Sequence, residues 1–203
     1  MIALIDYGAG NVESVAKALR HLGKPVELTS DAGFIRKADA VVLPGVGAFG
    51  DAVSQLRLRG LEQVVRESAL DSQRPFLGIC VGLQMLFDSS EESPEAEGLK
   101  LMGGKVLRLP SDSGLKVPHI GWNSIEYNHD CPLFAGLPEQ PYVYFVHSYY
   151  LHADNPSVVA AKAHYGTEIH AAVWKDRCFA TQFHPEKSGE IGLSILNNFC
   201  ALI

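Results

Sequence analysis

The chain has 203 residues, of which 47% are hydrophobic and 20% charged, and it carries a net charge of −6. That make-up fits a globular protein able to bury its own core, and it excludes collagen, coiled coil and long-range disorder. No apolar run nears the ~18 residues of a membrane span, and the scattered Lys and Arg leave no footprint for nucleic acid or an anionic membrane.

The N-terminus reads as a first strand, Ile2–Ile5, apolar throughout as in a strand buried on both faces, and not as a signal peptide. Asn11 is placed to cap a helix whose Val12, Val15, Ala16 and Leu19 form one stripe, ending near Gly23 and Pro25. Strands follow at Val26–Thr29 and Ala40–Leu43, the second stopped by Pro44. Ala52, Val53 and Leu56 suit one helix; Leu61, Val64, Val65 and Ala69 suit another. Residues 75–79 form a buried strand and residues 81–87 a helix. Strands separated by helices imply right-handed βαβ units and a largely parallel sheet.

Residues 88–98, DSSEESPEAEG, read as a solvated acidic loop. Beyond them the chain turns strand-rich, at 105–109, 120–127, 142–151, 158–163 and 171–183, and it closes with an amphipathic helix over 191–202. With no repeat and no convincing linker, residues 1–203 are expected to form one domain. The expected architecture is an open, twisted, three-layer α/β fold whose mixed sheet carries an antiparallel extension.

Four cysteines, Cys80, Cys131, Cys178 and Cys200, stand far apart without a CxxC pair, which argues for reduced thiols in a cytosol-like compartment. Cys80 alone lies in Gly78-Ile79-Cys80-Val81-Gly82, between a strand and a helix. Small residues two positions either side are what a crowded strand-to-helix turn requires. This is the G-x-S-x-G elbow with sulfur in place of oxygen. The free N–H groups and dipole of a helix start favour a thiolate there.

A thiol nucleophile needs a base, and the base needs an orienting partner. His21, His129, His152, His164 and His170 read as surface or packing residues. His184 differs, because it ends an apolar strand and is followed by Pro185 and Glu186. In extended chain, residues i and i+2 project to one side, and Pro185 biases His184 towards that conformation. His184 and Glu186 are thus the candidate base and orienter. Acyl chemistry also needs oxyanion donors. Gly45-Val46-Gly47 follows the third strand, and the N–H groups of Gly47 and Val81 are the candidates, with Val46 contributing if its peptide reorients.

The Tyr7–Asn11 loop, YGAGN, imitates a dinucleotide loop, but Glu13 occupies the third glycine position. It reads as a turn at an interface. Neither metal-ligand spacing nor a nucleotide motif stands out, so neither metal nor cofactor is expected. On the residues alone the reading stops at a Cys-His-Glu acyl-transfer enzyme acting on an amide. A cysteine peptidase, or a binding module with an unused elbow, fits the same residues.

The segments PGVG at 44–47, GICVG-x-Q at 78–84, PHIGWN at 118–123, YFVHSYY at 144–150 and QFHPEKS at 182–188 together resemble the triad-type, class I glutamine amidotransferases. The resemblance spans nearly the whole chain. It implies their flavodoxin-like α/β fold and the hydrolysis of L-glutamine to glutamate and ammonia through a Cys80 thioester, with His184 as base and then acid. It places Gln84, Ser148 and Tyr149 around the amino-acid end of the substrate. PHIGWN with HPEKS is most similar to the glutaminases of histidine biosynthesis, as against those serving anthranilate, carbamoyl phosphate or pyridoxal phosphate. The implied partner is a (β/α)8 cyclase in a heterodimer, met through Asn11, Trp122, Tyr144 and Lys187, in the cytoplasm and without cofactor. Val81 stands where Leu is common in the family, which changes little because the backbone N–H carries the role.

Overall fold

The computed structural model describes residues 1–8, 11–111 and 114–203. Four short parallel strands open it: β1 (Ile2–Ile5), β2 (Val26–Thr29), β3 (Ala40–Leu43) and β4 (Phe76–Ile79). β1, β3 and β4 are buried at every residue, as their unbroken apolar runs require. Between them run α1 (Val12–His21), α2 (Ala32–Lys37), α3 (Phe49–Leu58) and α4 (Glu62–Ala69). α1 buries Val15, Ala16 and Leu19, the stripe seen in the sequence. α2 is not among the expected elements. It is only six residues long and buries Ile35 alone, too little for a periodic signal, and it starts where the Asp31 carboxylate accepts the Phe34 N–H at 2.9 Å.

The second half supplies α5 (Val81–Gln84), β5 (Ser89–Ser90), β6 (Gly104–Arg108), β7 (His119–Ser124), β8 (Glu126–Tyr127), β9 (Tyr142–His147), β10 (Tyr149–Ala153), β11 (Val159–His164), β12 (Glu168–Lys175), β13 (Cys178–Thr181) and α6 (Gly189–Ala201). Among the described residues the main sheet has eight strands in the order β2-β1-β3-β4-β13-β12-β11-β8. β13 inserts parallel to β4 with Thr181 opposite Ile79, while β12, β11 and β8 extend the sheet antiparallel. The strand leading to Cys80 and the strand leading to His184 are therefore neighbours that end together. Sites of open α/β sheets form at such carboxyl ends.

Several predicted elements divide. The run 171–183 is a hairpin of β12 and β13 that reverses at Asp176, φ 54°. The run 142–151 breaks at Ser148 because β9 pairs with β7 whereas β10 pairs with β6. The run 120–127 splits into β7 and β8 for a similar reason, β8 joining the main sheet. The helix expected over 81–87 stops at Gln84. Residues 88–98 are not a free loop. β5 pairs with β6, the Glu92 carboxylate accepts the Phe49 N–H at 2.8 Å, and Ser93 Oγ accepts the Gly50 N–H at 3.1 Å. The first N–H groups of a helix need acceptors, and Ala48 before α3 has no side-chain oxygen to offer, so the acidic segment caps α3. Among the described residues no helix is long and apolar enough to cross a membrane.

Candidate active site

Cys80 sits between β4 and α5 at φ 55°, ψ −109°, a conformation that costs a non-glycine residue energy and persists only where the surroundings enforce it. The enforcement is steric. A Cβ on Gly82 would stand 2.0 Å from the Leu43 carbonyl oxygen, and one on Gly78 2.8 Å from the Gly82 carbonyl oxygen. Both flanking glycines are thus demanded by the packing of the turn, as the elbow motif implied. Gly45 packs behind the elbow: its Cβ would lie 2.8 Å from both the Gly82 nitrogen and the Tyr7 hydroxyl. That hydroxyl donates to the Pro44 carbonyl at 2.9 Å, pinning the segment. Burial, and secondarily the charge at Cys80, push the Tyr7 phenol well above its usual range. Because α5 spans only four residues, the elbow offers the unpaired N–H groups of a first turn more than a full helix dipole.

His184 is extended, φ −99°, ψ 98°, as Pro185 dictates. The alternation expected to bring Glu186 to its side does not operate, because Pro185–Lys187 form a 3₁₀ turn. The turn swings Glu186 back, and its Oε1 lies 2.8 Å from His184 Nδ1. The same oxygen accepts Asn11 Nδ2 at 2.8 Å. Asn11 is therefore not the predicted helix cap. It makes no side-chain bond to α1 and adopts the left-handed conformation, φ 68°, with its amide turned to Glu186. The His184 and Glu186 side chains are 2% and 0% exposed. His184 Nε2 has no hydrogen-bond partner among the described residues. Burial alone would lower the imidazole, but the neighbouring Cys80 and Glu186 outweigh it and hold the pKa at about 9.

Cys80 and His184 open on one cavity of about 590 Å³, within the ~300–1,000 Å³ usual for small-molecule sites. Val46, Gly47 and Val81 line it, as do Gln84, Ser148, Tyr149 and Lys187. Gly47 has φ 89° with nothing within 4 Å of a Cβ, so its glycine answers a conformational need rather than crowding. Gly45 is not part of the wall. Ser148 stands at the break between β9 and β10, which turns it to the cavity.

Glu92, His147 and Gln182 join the site without having been expected there. Glu92 and His147 line the cavity, while Gln182, fully buried, places Nε2 3.7 Å from Cys80 Sγ. All but Glu92 fall inside the motifs quoted above, in YFVHSYY and QFHPEKS. His147 Nδ1 donates to the Tyr149 carbonyl at 3.0 Å, which leaves its Nε2 to accept from His119 Nδ1 at 3.1 Å. Burial pushes His147 down to about 3 and His119 to about 4.

Trp122 and Tyr144 face each other across β7 and β9 with ring centroids 6.1 Å apart, and Lys187 Nζ lies 5.9 Å above the Tyr144 ring. Trp122, Tyr144 and Lys187 thus form one cluster beside His184. Asn11 lies apart from it, on Glu186. Of the Tyr7–Asn11 loop, Ala9 and Gly10 lie outside the described residues.

The family model described as glutamine amidotransferase class-I matches residues 3–202. The chain belongs to that family. Among curated relatives, imidazole glycerol phosphate synthase subunit HisH of Syntrophotalea carbinolica is 50% identical, with 98% of each chain covered. The protein of the same name from Methanothermobacter thermautotrophicus is 50% identical, covering 100% of this chain and 99% of that one. Among solved structures, a glutamine amidotransferase superposes with a TM-score of 0.76 at 19% identity, covering 100% of this chain and 98% of that one. A glutamine amidotransferase from Thermotoga maritima superposes with a TM-score of 0.66 at 19% identity, covering 98% of this chain and 82% of that one. These likenesses establish the amidotransferase fold, a mixed central sheet with helices packed on it.

Proposed function

We propose that this amidotransferase is the glutaminase subunit of imidazole glycerol phosphate synthase in histidine biosynthesis. One observation carries the reading: the elbow cysteine and His184, backed by Glu186, open on a single cavity in a chain that matches HisH subunits from end to end. The Cys80 thiolate attacks the side-chain amide carbon of L-glutamine. His184, held as imidazolium at neutral pH, already carries the proton that the departing ammonia takes. Glu186 holds the ring and stabilises its charge, and water activated by the then neutral His184 hydrolyses the γ-glutamyl thioester to glutamate. The N–H groups of Val81 and Gly47, with Val46 when its peptide reorients, receive the oxyanion. Gln84, Ser148 and Tyr149 take the amino-acid end, where Glu92 adds a carboxylate suited to an α-ammonium group.

The partner is the (β/α)8 cyclase subunit, which receives the ammonia directly in a heterodimer. Protonated ammonia is a poor nucleophile, so a closed path between the sites preserves its reactivity. Ile120, Trp122 and Tyr142 are 61%, 54% and 60% exposed, an apolar surface on β7 and β9 that a partner would cover. The chain acts in the cytoplasm, in keeping with four unpaired cysteines.

The test is the rate of glutamate release by the chain alone, with cyclase, and with cyclase plus its nucleotide substrate. The isolated chain is expected to be nearly inactive, and one further oxyanion donor is worth ~10²–10³ in rate. No glutamate release from glutamine in any of the three mixtures would overturn the reading.

A further inference from the structure

Gln182 is the residue between Thr181, which ends β13, and Phe183. Its backbone N–H is bonded to the Ala171 carbonyl at 2.8 Å, and it is fully buried. A buried primary amide requires partners for both ends. Gln182 Oε1 accepts from Gln84 Nε2 at 3.1 Å, and Gln182 Nε2 lies 3.7 Å from Cys80 Sγ. Gln84 Nε2 also donates to the Tyr149 carbonyl at 3.1 Å.

The direction of this chain is settled by its far end. A backbone carbonyl only accepts, so the Gln84 group facing Tyr149 is its NH₂. Both Gln84 N–H groups are then used, the second on Gln182, whose facing atom must be its oxygen. Gln182 therefore has no choice but to aim its own N–H at the sulfur. Reversing either amide would set donor against donor or oxygen against oxygen. An N–H aimed at sulfur favours thiolate over thiol, since the charged acceptor takes the stronger hydrogen bond.

We propose that Gln182 positions and stabilises the Cys80 thiolate, and that Gln84 sets its orientation through the Tyr149–Gln84–Gln182–Cys80 chain of hydrogen bonds. The inference rests on Cys80 being the nucleophile. It makes Gln84 serve twice: its amide nitrogen orders the nucleophile while its oxygen remains for the substrate's N–H groups. The same Tyr149 carbonyl takes the His147 Nδ1 proton, so this oxygen anchors both the sulfur's donor and the buried histidine pair.

The experiment uses the complex with the cyclase and follows alkylation of Cys80 by iodoacetamide against pH, the Cys80 peptide being read by mass spectrometry. Iodoacetamide lacks the amino-acid end of glutamine, so loss of substrate binding does not obscure the result. Gln182→Met keeps the bulk and removes the donor. It should move the alkylation midpoint to higher pH and slow labelling near neutrality ~10-fold, the scale of one hydrogen bond to a charged group. Gln84→Leu should move it the same way by less, and the double variant should show less than the sum. Gln182→Asn, polar but one methylene too short to reach, is read beside Gln182→Met and should behave like it, which keeps the test decisive if the methionine variant does not fold. An unchanged midpoint in a folded Gln182 variant would overturn the proposal. Glutaminase turnover retained by Cys80→Ala in the same complex would instead overturn the assignment of the nucleophile beneath it.

Discussion

Asn11 and Glu186, 175 positions apart in the chain, meet at 2.8 Å, so that the carboxylate oxygen orienting His184 is itself held from the start of α1. The other oxygen, Glu186 Oε2, is buried without a partner among the described residues, which leaves Asn11 and His184 to fix the side chain. Asn11→Ala should therefore lower kcat about tenfold, the worth of one hydrogen bond to a charged group. Glutaminase kinetics of the assembled enzyme check this. KM should change less, because Asn11 does not line the cavity.

The triad members should fail in graded fashion. Cys80→Ala, which removes the proposed nucleophile, should abolish turnover, and His184→Ala, which removes the proposed proton carrier, should nearly do so. Glu186→Gln retains an acceptor for Nδ1 but loses the charge, and should be impaired less completely. An electrophilic glutamine analogue should label Cys80 alone. Cys131 and Cys178 are buried, with their thiols pushed up to about 11 and about 12, and Cys200 is shifted upward too. Labelling and steady-state rates in the complex measure both statements.

Gly45 and Gly47 should fail differently although one residue separates them. Gly45→Ala drives a methyl group into the Gly82 nitrogen and the Tyr7 hydroxyl, so thermal stability should fall. Gly47→Ala meets no neighbour but must hold φ near 89°, at a cost of ~1–2 kcal/mol if it complies. Its stability should fall by no more than that, less than in Gly45→Ala, and its glutaminase rate should fall by ~10²–10³ if the oxyanion donor is displaced. Melting curves and kcat of the two variants separate the cases.

Stability should decline on both sides of neutrality. His184, raised to about 9, contributes stability that is complete below its unfolded value near 6.5 and is lost as pH rises towards 9. His147 and His119, lowered to about 3 and about 4, do the reverse: their contribution is complete above 6.5 and is lost as pH falls towards those values. His147→Phe should flatten the acid limb between about pH 4.5 and 6.5 while lowering stability at neutral pH, since His119 Nδ1 loses its acceptor. Melting temperature against pH for both proteins tests this.

Trp122 should act in binding and not in folding. It is 54% exposed and stacks edge-on to Tyr144, while the Tyr144 carbonyl accepts the His184 N–H at 2.9 Å. Trp122→Ala should weaken the complex with the cyclase by ~30-fold or more, as loss of an aromatic anchor does, with the melting temperature of the free chain little changed. Titration of the variant into the cyclase measures the affinity.

Local chemistry was legible in residue order. The glycines around Cys80 announced the elbow because a turn that tight excludes any Cβ, and unbroken apolar runs announced β1, β3 and β4 because burial on both faces demands them. His184 with Glu186 was recognisable as a pair, although a 3₁₀ turn and not strand alternation joins them. Partners distant in the chain were not legible. Nothing in the periodicity around Asn11 points to Glu186, nothing in DSSEESPEAEG to the N–H groups of α3, and nothing in TQFHPE to a glutamine amide aimed at Cys80. Such contacts exist because β13 inserts beside β4 and brings two strand ends together. A buried polar group satisfies itself with whatever acceptor or donor the fold delivers, and only the folded arrangement decides which one that is.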